Sequence, residues 1–229
     1  MSTESAPGRP DPLLAEQSAY YRAIAPKYDK RGIQGARGDE LVMVLDSFRP
    51  VGKVLELACG PGTWTGHLLR HATAVTALDG SPEMLTIASG RIRDERVRFV
   101  QTDIFDWQPA DRYDVVFFGF WLSHVPLERF ASFWSMVGDC LEPEGRVLFL
   151  DDAYRTDHEL VYGDASQVVR RRLDDGSDYR VVKVPHEPKA LERRLAQLGW
   201  AIEVREASRP FFWGAGARSR STRSMCSHL

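Results

Sequence analysis

The stretch LELACGPGTW, residues 55–64, joins an apolar run to a polar one through two closely spaced glycines. Gly60 and Gly62 fall where a buried strand would turn into a helix. A glycine at that place lets a ligand approach the backbone, because no Cβ stands in the way. Glycine pairs also make plain tight turns, so the neighbouring residues must decide between the two interpretations.

Two aspartates further along the chain favour a ligand. Asp79 and Asp103 each follow an apolar run, in the segments LDG and TDI. In a parallel sheet the carboxyl ends of the strands share one edge, so both carboxylates would lie beside the glycine turn. An aspartate at such a strand end can accept hydrogen bonds from both hydroxyls of a ribose. The spacing therefore predicts a pocket for a nucleoside-containing cofactor.

A dinucleotide cofactor is left open by the sequence but is not indicated. Its fingerprint, G-x-G-x-x-G, requires glycine where the chain has Thr65, and Gly66 comes one residue late. Tyr179 and Lys183 have the Tyr-x-x-x-Lys spacing of some nicotinamide enzymes, but they fall on a predicted strand. Their side chains would lie about 13 Å apart there, so we interpret this spacing as accidental.

The elements that must position these residues alternate between strands and helices. Ser81-Pro82-Glu83 predicts a helix start with a hydroxyl N-cap and a proline in the first turn. Strands and helices that alternate at this spacing build a doubly wound, parallel α/β sheet. The predicted buried strands are 53–58, 74–79, 97–102, 113–119 and 145–151.

The second half of the chain departs from this alternation. Residues 153–172 have the pattern of a helix, and a turn at 173–176 leads into an alternating strand at 179–184. We expect residues 153–186 to form an insertion on the substrate side of the sheet. A helix at 188–198 and strands at 200–206 and 210–217 are predicted to follow.

Length and composition limit the class of protein. The 229 residues suit one domain, expected at 13–217, between a disordered segment at 1–12 and a flexible tail at 218–229. A formal net charge of −2 does not favour a nucleic-acid partner or an anionic membrane. No apolar run reaches the roughly 20 residues of a membrane span. Cys59, Cys140 and Cys226 lack disulfide-like or zinc-like spacing, so we expect a cytoplasmic protein without a metal site. We expect it to be a monomer or a homodimer.

Five segments, in this order and at these intervals, resemble the class I S-adenosylmethionine-dependent methyltransferases. They are VLELACGPGTWTGHLL, VTALDGSPEML, VQTDIFDWQP, YDVVFFGFWLSHV and LEPEGRVLFLDD. The resemblance covers residues 20–217 and implies a Rossmann-like, seven-stranded sheet with an antiparallel last strand. The implied cofactor is S-adenosylmethionine, with S-adenosylhomocysteine as its product. The usual first motif is closer to D-x-G-C-G-x-G, so Glu56 replaces an aspartate and Ala58 a glycine.

The resemblance also implies roles for individual residues. Gly60 and Gly62 would line the methionine part of the cofactor, and Asp79 would hold the ribose hydroxyls. Asp103 would accept from the adenine amino group, beside the backbone of Ile104. The full predicted cofactor set is Tyr28, Glu56, Ala58, Gly60, Gly62, Asp79, Gly80, Met84, Asp103, Ile104 and Phe120.

Methyl transfer from a sulfonium is an in-line displacement, which mainly requires alignment and the exclusion of water. His124 follows the fourth strand, where the family meets its substrate, and could act as the base for a hydroxyl acceptor. A structural role for this histidine is equally compatible with its position. Arg170-Arg171-Arg172 could hold an acidic substrate, but a solvated helix face is the preferred interpretation. The other substrate-side candidates are Tyr20, Tyr21, Trp121, Asp152, Tyr154 and His186.

The predicted function is methyl transfer to a small molecule, most simply to a hydroxyl oxygen of an aromatic or apolar secondary metabolite. N- or C-methylation would use much the same residues. The motif of amino-methylating nucleic-acid enzymes, Asn/Asp-Pro-Pro-aromatic, is replaced by GFWL at residues 119–122. An NAD(P)-dependent oxidoreductase is less favoured, and a regulator that binds the cofactor without turnover remains an alternative.

Overall fold

The computed structural model describes residues 11–28 and 36–219, so Cys226 and most of both predicted flanking segments lie outside the described residues. The strands are β1 (Gly52–Leu57), β2 (Ala72–Asp79), β3 (Val97–Gln101), β4 (Tyr113–Gly119), β5 (Leu141–Asp152), β6 (Val168–Arg172), β7 (Asp178–Val182), β8 (Trp200–Glu206) and β9 (Phe211–Arg218). The helices are α1 (Pro12–Ile24), α2 (Ala36–Phe48), α3 (Thr65–Leu68), α4 (Pro82–Arg91), α5 (Phe130–Asp139) and α6 (Pro188–Gln197). Short 3₁₀ helices lie at Ala25–Lys27, Leu122–His124 and Leu127–Arg129. Among the helices described, none is long and apolar enough to cross a membrane.

Seven strands form one sheet in the order β3-β2-β1-β4-β5-β9-β8. The first five strands of the chain pair in parallel, whereas β9 runs antiparallel to both β5 and β8. The predicted Rossmann-like fold class with an antiparallel last strand is therefore confirmed. The chain moves outward from β1 to β3 and then returns to β4 on the other side of β1. This reversal opens a crevice at the carboxyl ends of β1 and β4.

The two faces of the sheet are covered by different helices, which explains the nearly continuous apolar strands. Adjacent residues of β4 point to opposite faces. Phe117 belongs to the same buried cluster as Leu41 and Leu45 of α2. Phe118 makes edge-to-face ring contacts with Phe133 and Trp134 of α5 on the other side. With both faces buried, the strand ends are held firmly at the edge where the crevice opens.

Helix α4 begins where the sequence predicts. The Ser81 hydroxyl accepts a hydrogen bond from the Met84 amide at 3.1 Å, and Pro82 occupies the first helical position. Proline fits there because its missing N–H would have no partner in the helix. This start turns Met84 inward, where its side chain is almost fully buried.

The prediction of a helix at residues 153–172 is wrong. The segment is a series of turns that ends in β6. Polar side chains compete with a helix for the backbone groups there. The Arg155 guanidinium donates to the carbonyls of Asp164 and Ser166, and the Thr156 amide donates to Glu159 Oε2. Gly163 has φ +88°, which also interrupts a helix.

Strands β6 and β7 form a hairpin that packs against α1 and covers the crevice. Val169 and Val181 of the hairpin share a buried cluster with Tyr20 and Ile24 of α1. Asp11 caps helix α1, because its carboxylate accepts from the Leu13 amide, so the predicted disordered segment 1–12 extends into the first residue of this helix. Likewise Arg218, predicted to begin the flexible tail, still belongs to β9.

Candidate active site

Two adjoining cavities lie at the carboxyl ends of the central strands. We call them the Asp79 cavity, of about 340 Å³, and the Arg171 cavity, of about 380 Å³. They meet at a boundary that both share, so a group bound in one cavity can reach the other. The residues of this boundary are Tyr21, Tyr28, Ala58, Gly60, Gly119, Phe120 and His124.

The glycine turn after β1 opens the boundary. Gly60 has φ +54°, and a Cβ built on it would meet no atom of the described chain within 4 Å. Gly62 has φ +80°, and its Cβ would lie 3.2 Å from that of Ala88 on α4. Gly62 therefore lets α4 pack closely and lines neither cavity, contrary to its predicted contact with the cofactor. Ala58 and Phe120 also have positive φ, +52° and +59°, which places two strained residues at the boundary.

Asp79 lies at the end of β2 with its carboxylate held in one orientation. Its Oδ2 accepts from the Gly60 amide and its Oδ1 from the Ser81 amide, both at 2.8 Å. Burial raises the pKa of Asp79, against the lowering effect of these amides. Each carboxylate oxygen keeps a further lone pair, as two neighbouring ribose hydroxyls require.

The rest of the Asp79 cavity fits a purine nucleoside. Asp103 follows β3, and its Oδ1 accepts from the Phe105 amide at 2.9 Å. Met84 and Ile104, nearly fully buried, supply apolar walls. The donor and acceptor set thus agrees with S-adenosylmethionine. Of the predicted cofactor residues, those that line this cavity are Tyr28, Ala58, Gly60, Asp79, Gly80, Met84, Asp103, Ile104 and Phe120.

Glu56 lies outside both cavities, behind the glycine turn. Its carboxyl accepts a hydrogen bond from the Thr65 hydroxyl at 2.6 Å and so fastens the start of α3 to β1. Burial raises the pKa of Glu56 to about 8. Its side chain lines neither cavity, so its place in the cofactor site stays a prediction.

His124 lies at the boundary and is held by two distant segments. Its Nδ1 is 2.5 Å from the carbonyl oxygen of Val182, and its Nε2 is 2.8 Å from the Tyr21 hydroxyl. Burial lowers the pKa of His124 well below its ordinary value, and the charges of Lys183 and Arg171 lower it further. The imidazole is therefore neutral at neutral pH.

Two cations line the Arg171 cavity, the buried Lys183 and the half-buried Arg171. The Lys183 ammonium lies 2.9 Å from Asp152 Oδ1, and the Arg171 Nε lies 2.5 Å from Glu159 Oε1. The preferred interpretation of residues 170–172 as a solvated helix face is wrong. They form part of β6, and because side chains alternate along a strand, Arg171 points inward between two outward neighbours.

Aromatic rings form the opposite wall of the Arg171 cavity. Trp64 stacks on Phe120, with ring centroids 6.3 Å apart. A Cβ built on Gly119 would lie 2.8 Å from Trp64 Nε1, so only glycine lets the indole lie over the end of β4.

The predicted substrate residues divide into two groups. Tyr20 and Asp152 line the Arg171 cavity, Trp121 lines the Asp79 cavity, and Tyr21 lines both. Tyr154 and His186 line neither cavity, and we withdraw them as acceptor contacts. Tyr154 is 57% exposed on the surface. His186 packs on Phe130 beneath the site, with its pKa lowered to about 4 by burial.

Sequence reasoning missed several residues of the cavities. Arg171 was assigned to a helix face, and Lys183 was considered only as part of an accidental spacing. A lysine inside the apolar run VVKVP, residues 181–185, is a signal that could have identified a buried cation. Gln17, Ser18 and Trp64 carry no comparable local signal, since they reach the cavities only through tertiary packing.

Comparisons with known proteins agree with this geometry. The family model described as Methyltransferase domain matches residues 54–145. The solved structure of DhpI in complex with SAH superposes with a TM-score of 0.81, at 40% identity over 91% of this chain and 98% of that chain. The complex of DhpI with SAM and HEP gives the same TM-score at 38% identity.

Curated relatives match over shorter parts of their length. Trans-aconitate 2-methyltransferase of Streptomyces avermitilis is 31% identical over 74% of this chain and 65% of its own. The same enzyme of Escherichia fergusonii is 36% identical over 40% of this chain and 36% of its own. The chain thus spans between about a third and about two thirds of these relatives.

The fold, the glycine turn, the two strand-end aspartates and the full-length match to DhpI define one class of protein. The chain belongs to the class I S-adenosylmethionine-dependent methyltransferases. It is an enzyme of the methyl-transferring kind, and S-adenosylmethionine is its cofactor.

Proposed function

We propose that the protein transfers the methyl group of S-adenosylmethionine to an oxygen atom of a small acceptor that carries a negatively charged group. The observation that carries this proposal is the position of Arg171, whose side chain lines a cavity beside the cofactor cavity. A guanidinium offers five N–H donors in a planar fork, which suits a carboxylate or a related oxyanion.

The cofactor would occupy the Asp79 cavity. Asp79 would hold the ribose, Asp103 the adenine amino group, and Met84 and Ile104 the faces of the base. Bound there, S-adenosylmethionine supplies a methyl group attached to positively charged sulfur. The protein's own contribution is to align an acceptor oxygen with that methyl group and to exclude water, which α1 and the β6–β7 hairpin do by covering the crevice.

The charges around the Arg171 cavity support an anionic acceptor. Lys183 is already balanced, because its ammonium contacts Asp152 at 2.9 Å and lies 3.8 Å from Asp151. Glu159 Oε1 contacts Arg171 at Nε, and the Tyr20 side chain is hydrogen-bonded to the same guanidinium, whose five N–H groups exceed these two contacts. Arg171 is therefore the cation with donors suited to a second anion, and that anion would sit across the cavity from the aromatic wall.

The comparisons also support this proposal. DhpI has been solved as a DhpI-SAM-HEP complex. Another relative is malonyl-[acyl-carrier protein] O-methyltransferase of Paenibacillus sp., which is 30% identical over 50% of this chain and 48% of its own. This enzyme and trans-aconitate 2-methyltransferase are both named after derivatives of carboxylic acids.

A second candidate function keeps the expectation of an aromatic or apolar secondary metabolite, methylated on a hydroxyl in the cytoplasm. The stacked rings of Trp64 and Phe120 support it, since they form a flat apolar wall. An aromatic acid would satisfy both that wall and Arg171. The two candidates therefore differ only in whether the acceptor must be charged.

The test compares small acids with their neutral amides as acceptors, with radiolabelled S-adenosylmethionine as the methyl donor. We expect acids to be methylated in preference to amides. Arg171→Gln should raise the KM for the acid about 10- to 100-fold, because a hydrogen bond to a charged group contributes about 1.5–3 kcal/mol. Its affinity for S-adenosylhomocysteine should not change.

Arg172→Gln is the matched control. Arg172 is the next residue of the same strand, but its side chain is 62% exposed and pairs with Asp178 at 2.7 Å. We expect this variant to behave like the wild type. Equal turnover of acids and amides, or the same kinetics for both variants, would refute a charged acceptor and favour the second candidate.

A further inference from the structure

Tyr21 and His124 form a hydrogen-bonded pair at the boundary between the two cavities. The Tyr21 hydroxyl lies 2.8 Å from His124 Nε2, and the rings meet edge to face with centroids 5.4 Å apart. Both side chains line both cavities. A methyl group that passes from the cofactor to an acceptor must cross this boundary, so the pair lies beside the path of the reaction.

The contact of His124 Nδ1 determines which atoms of this pair carry the protons. The carbonyl of Val182 can only accept a hydrogen bond, so Nδ1, at 2.5 Å from it, must carry the proton of the neutral imidazole. Nε2 is then unprotonated, and the Tyr21 hydroxyl must donate to it. The phenol oxygen has no second hydrogen, so it presents only lone pairs to the cavities.

We propose that Tyr21 and His124 form a proton relay for an acceptor oxygen that still carries its proton. This inference rests on the proposed methylation of an oxygen atom. The acceptor O–H would donate to the oxygen of Tyr21, while the Tyr21 O–H already donates to Nε2 of His124. Tyr21 is then the residue that receives the acceptor's proton, and His124 is the base behind it.

The relay balances the charges of the reaction. As the acceptor oxygen bonds to the methyl carbon, the carbon–sulfur bond breaks and its electron pair remains on sulfur. The acceptor's proton moves to the oxygen of Tyr21, and the former Tyr21 proton moves to Nε2. The positive charge that leaves sulfur ends on the imidazolium of His124, whose Nδ1–H is held by the carbonyl of Val182.

Burial keeps both members neutral before the reaction. Burial raises the pKa of Tyr21 well above its ordinary value, so the phenol keeps its proton. Burial also lowers the pKa of His124, so Nε2 keeps its lone pair. An anionic acceptor beside Arg171 would offset one of the charges that disfavour the imidazolium. The charged or titratable groups that face the pair are Lys183 and Arg171 for His124, and Tyr20, Tyr28, Arg171 and Asp152 for Tyr21.

Helix α1 brings Tyr21 to His124 through a neighbouring glutamine. The Gln17 Oε1 accepts from the Val182 amide at 2.9 Å, and its Nε2 donates to the His124 carbonyl at 3.4 Å. Glu16 adds an ion pair with Arg180 at 2.8 Å. The helix that covers the crevice therefore also supplies a catalytic residue, and Gln17 is a positioning residue.

The kinetic test uses Tyr21→Phe, with Tyr179→Phe as the control. Tyr179 packs on Tyr20 and lines neither cavity, so its hydroxyl should be dispensable. Tyr21→Phe should lower kcat by about 10²-fold or more, the range of general base catalysis. Affinity for S-adenosylhomocysteine should stay within about 2-fold, because the relay acts on the acceptor's proton and leaves cofactor binding unchanged. The defect should shrink as the pH approaches the acceptor's own pKa, and acceptors with a more acidic O–H should be less affected.

A double variant separates the relay from two independent roles. Residues that act as a unit are not additive, so Tyr21→Phe combined with His124→Asn should be hardly slower than either single variant. Additive losses, or a Tyr21→Phe defect that is the same at every pH, would overturn the relay. A matching loss of S-adenosylhomocysteine affinity in Tyr21→Phe would also overturn it, since it would indicate a purely structural role.

A spectroscopic test does not depend on an acceptor. Long-range ¹H–¹⁵N NMR of histidine-labelled protein with S-adenosylhomocysteine should show His124 protonated on Nδ1, with an Nε2 signal that shifts in Tyr21→Phe. Protonation on Nε2 would overturn the relay. If NMR shows the expected tautomer but the acceptor assay shows no methylation of any acid or amide, the result would count against the proposed function and leave the hydrogen-bonded pair intact.

Discussion

Replacing Lys183 with methionine should destabilise the fold strongly, because this lysine is buried among acidic groups. Its side chain is only 4% exposed. The ammonium lies 2.9 Å from Asp152 Oδ1, 3.8 Å from Asp151 Oδ1 and 3.0 Å from the Ser123 hydroxyl. Methionine keeps most of the volume but removes the charge, so the substitution isolates the electrostatic contribution.

The expected magnitude follows from the burial. Removing one partner of a buried ion pair costs about 3–5 kcal/mol, because the remaining charge loses its compensation. In a chain of this size each kcal/mol lowers the Tm by about 2–4 °C. Lys183→Met should therefore unfold about 6–20 °C below the wild type.

The penalty should also depend on pH. Burial raises the pKa of Asp151 in the folded protein, whereas the charge of Lys183 lowers it. A group with a raised pKa binds protons more tightly in the folded state, so the free energy of unfolding falls as the pH rises through that range. Without Lys183 the pKa of Asp151 rises further. The loss of stability should therefore grow as the pH rises above the ordinary aspartate pKa of about 4.

Urea unfolding, followed by tryptophan fluorescence at several pH values, measures this penalty. Lys189→Met is the matched control, because Lys189 is 64% exposed and pairs with Glu192 at 3.3 Å. We expect the control to change the free energy of unfolding by about 0.5 kcal/mol or less. A cost below about 1 kcal/mol for Lys183→Met, or a cost independent of pH, would refute the reasoning.

Two further predictions concern other buried carboxyl groups. Asp79→Asn should weaken S-adenosylhomocysteine binding about 10- to 100-fold in calorimetric titration, since hydrogen bonds to a charged group contribute about 1.5–3 kcal/mol; unchanged affinity would remove Asp79 from the ribose site. Between about pH 4.5 and about pH 8 Glu56 is protonated in the folded wild type but ionised in the unfolded chain, so the free energy of unfolding falls by up to about 1.4 kcal/mol per pH unit. Glu56→Gln should remove this pH dependence. Equal slopes in both proteins would contradict the raised pKa.

The parts of the fold that the sequence predicts correctly depend on local patterns. The parallel strands are apolar on both faces, and Ser81 with Pro82 defines the start of α4 within three residues. The same local patterns predict the cofactor site, because the carboxyl ends of parallel strands place Asp79 and Asp103 at one edge of the sheet.

The cover over the site could not be predicted in the same way. Val169 and Val181 become a buried face only when α1 lies on them, and α1 is more than a hundred residues away in the sequence. In a helix, Arg171 would share a solvated face with its neighbours, whereas the strand turns it alone into the cavity. Tyr21 and His124 are 103 residues apart, so no local pattern joins them.

The residues expected to hold the cofactor and the cations of the acceptor cavity fall in different parts of the chain. Apart from Tyr28, the described groups that line the Asp79 cavity and are expected to hold the cofactor, among them Gly60, Asp79 and Asp103, fall within the matched family region, residues 54–145. The cations of the acceptor cavity, Arg171 and Lys183, fall outside it, as does Tyr21 on α1. The region that matches the family model therefore identifies the methyl donor but leaves the acceptor undetermined. Acceptor specificity in this chain should instead follow the sequences of α1 and the β6–β7 hairpin, and exchanging those two segments between relatives should exchange acceptors without changing cofactor affinity.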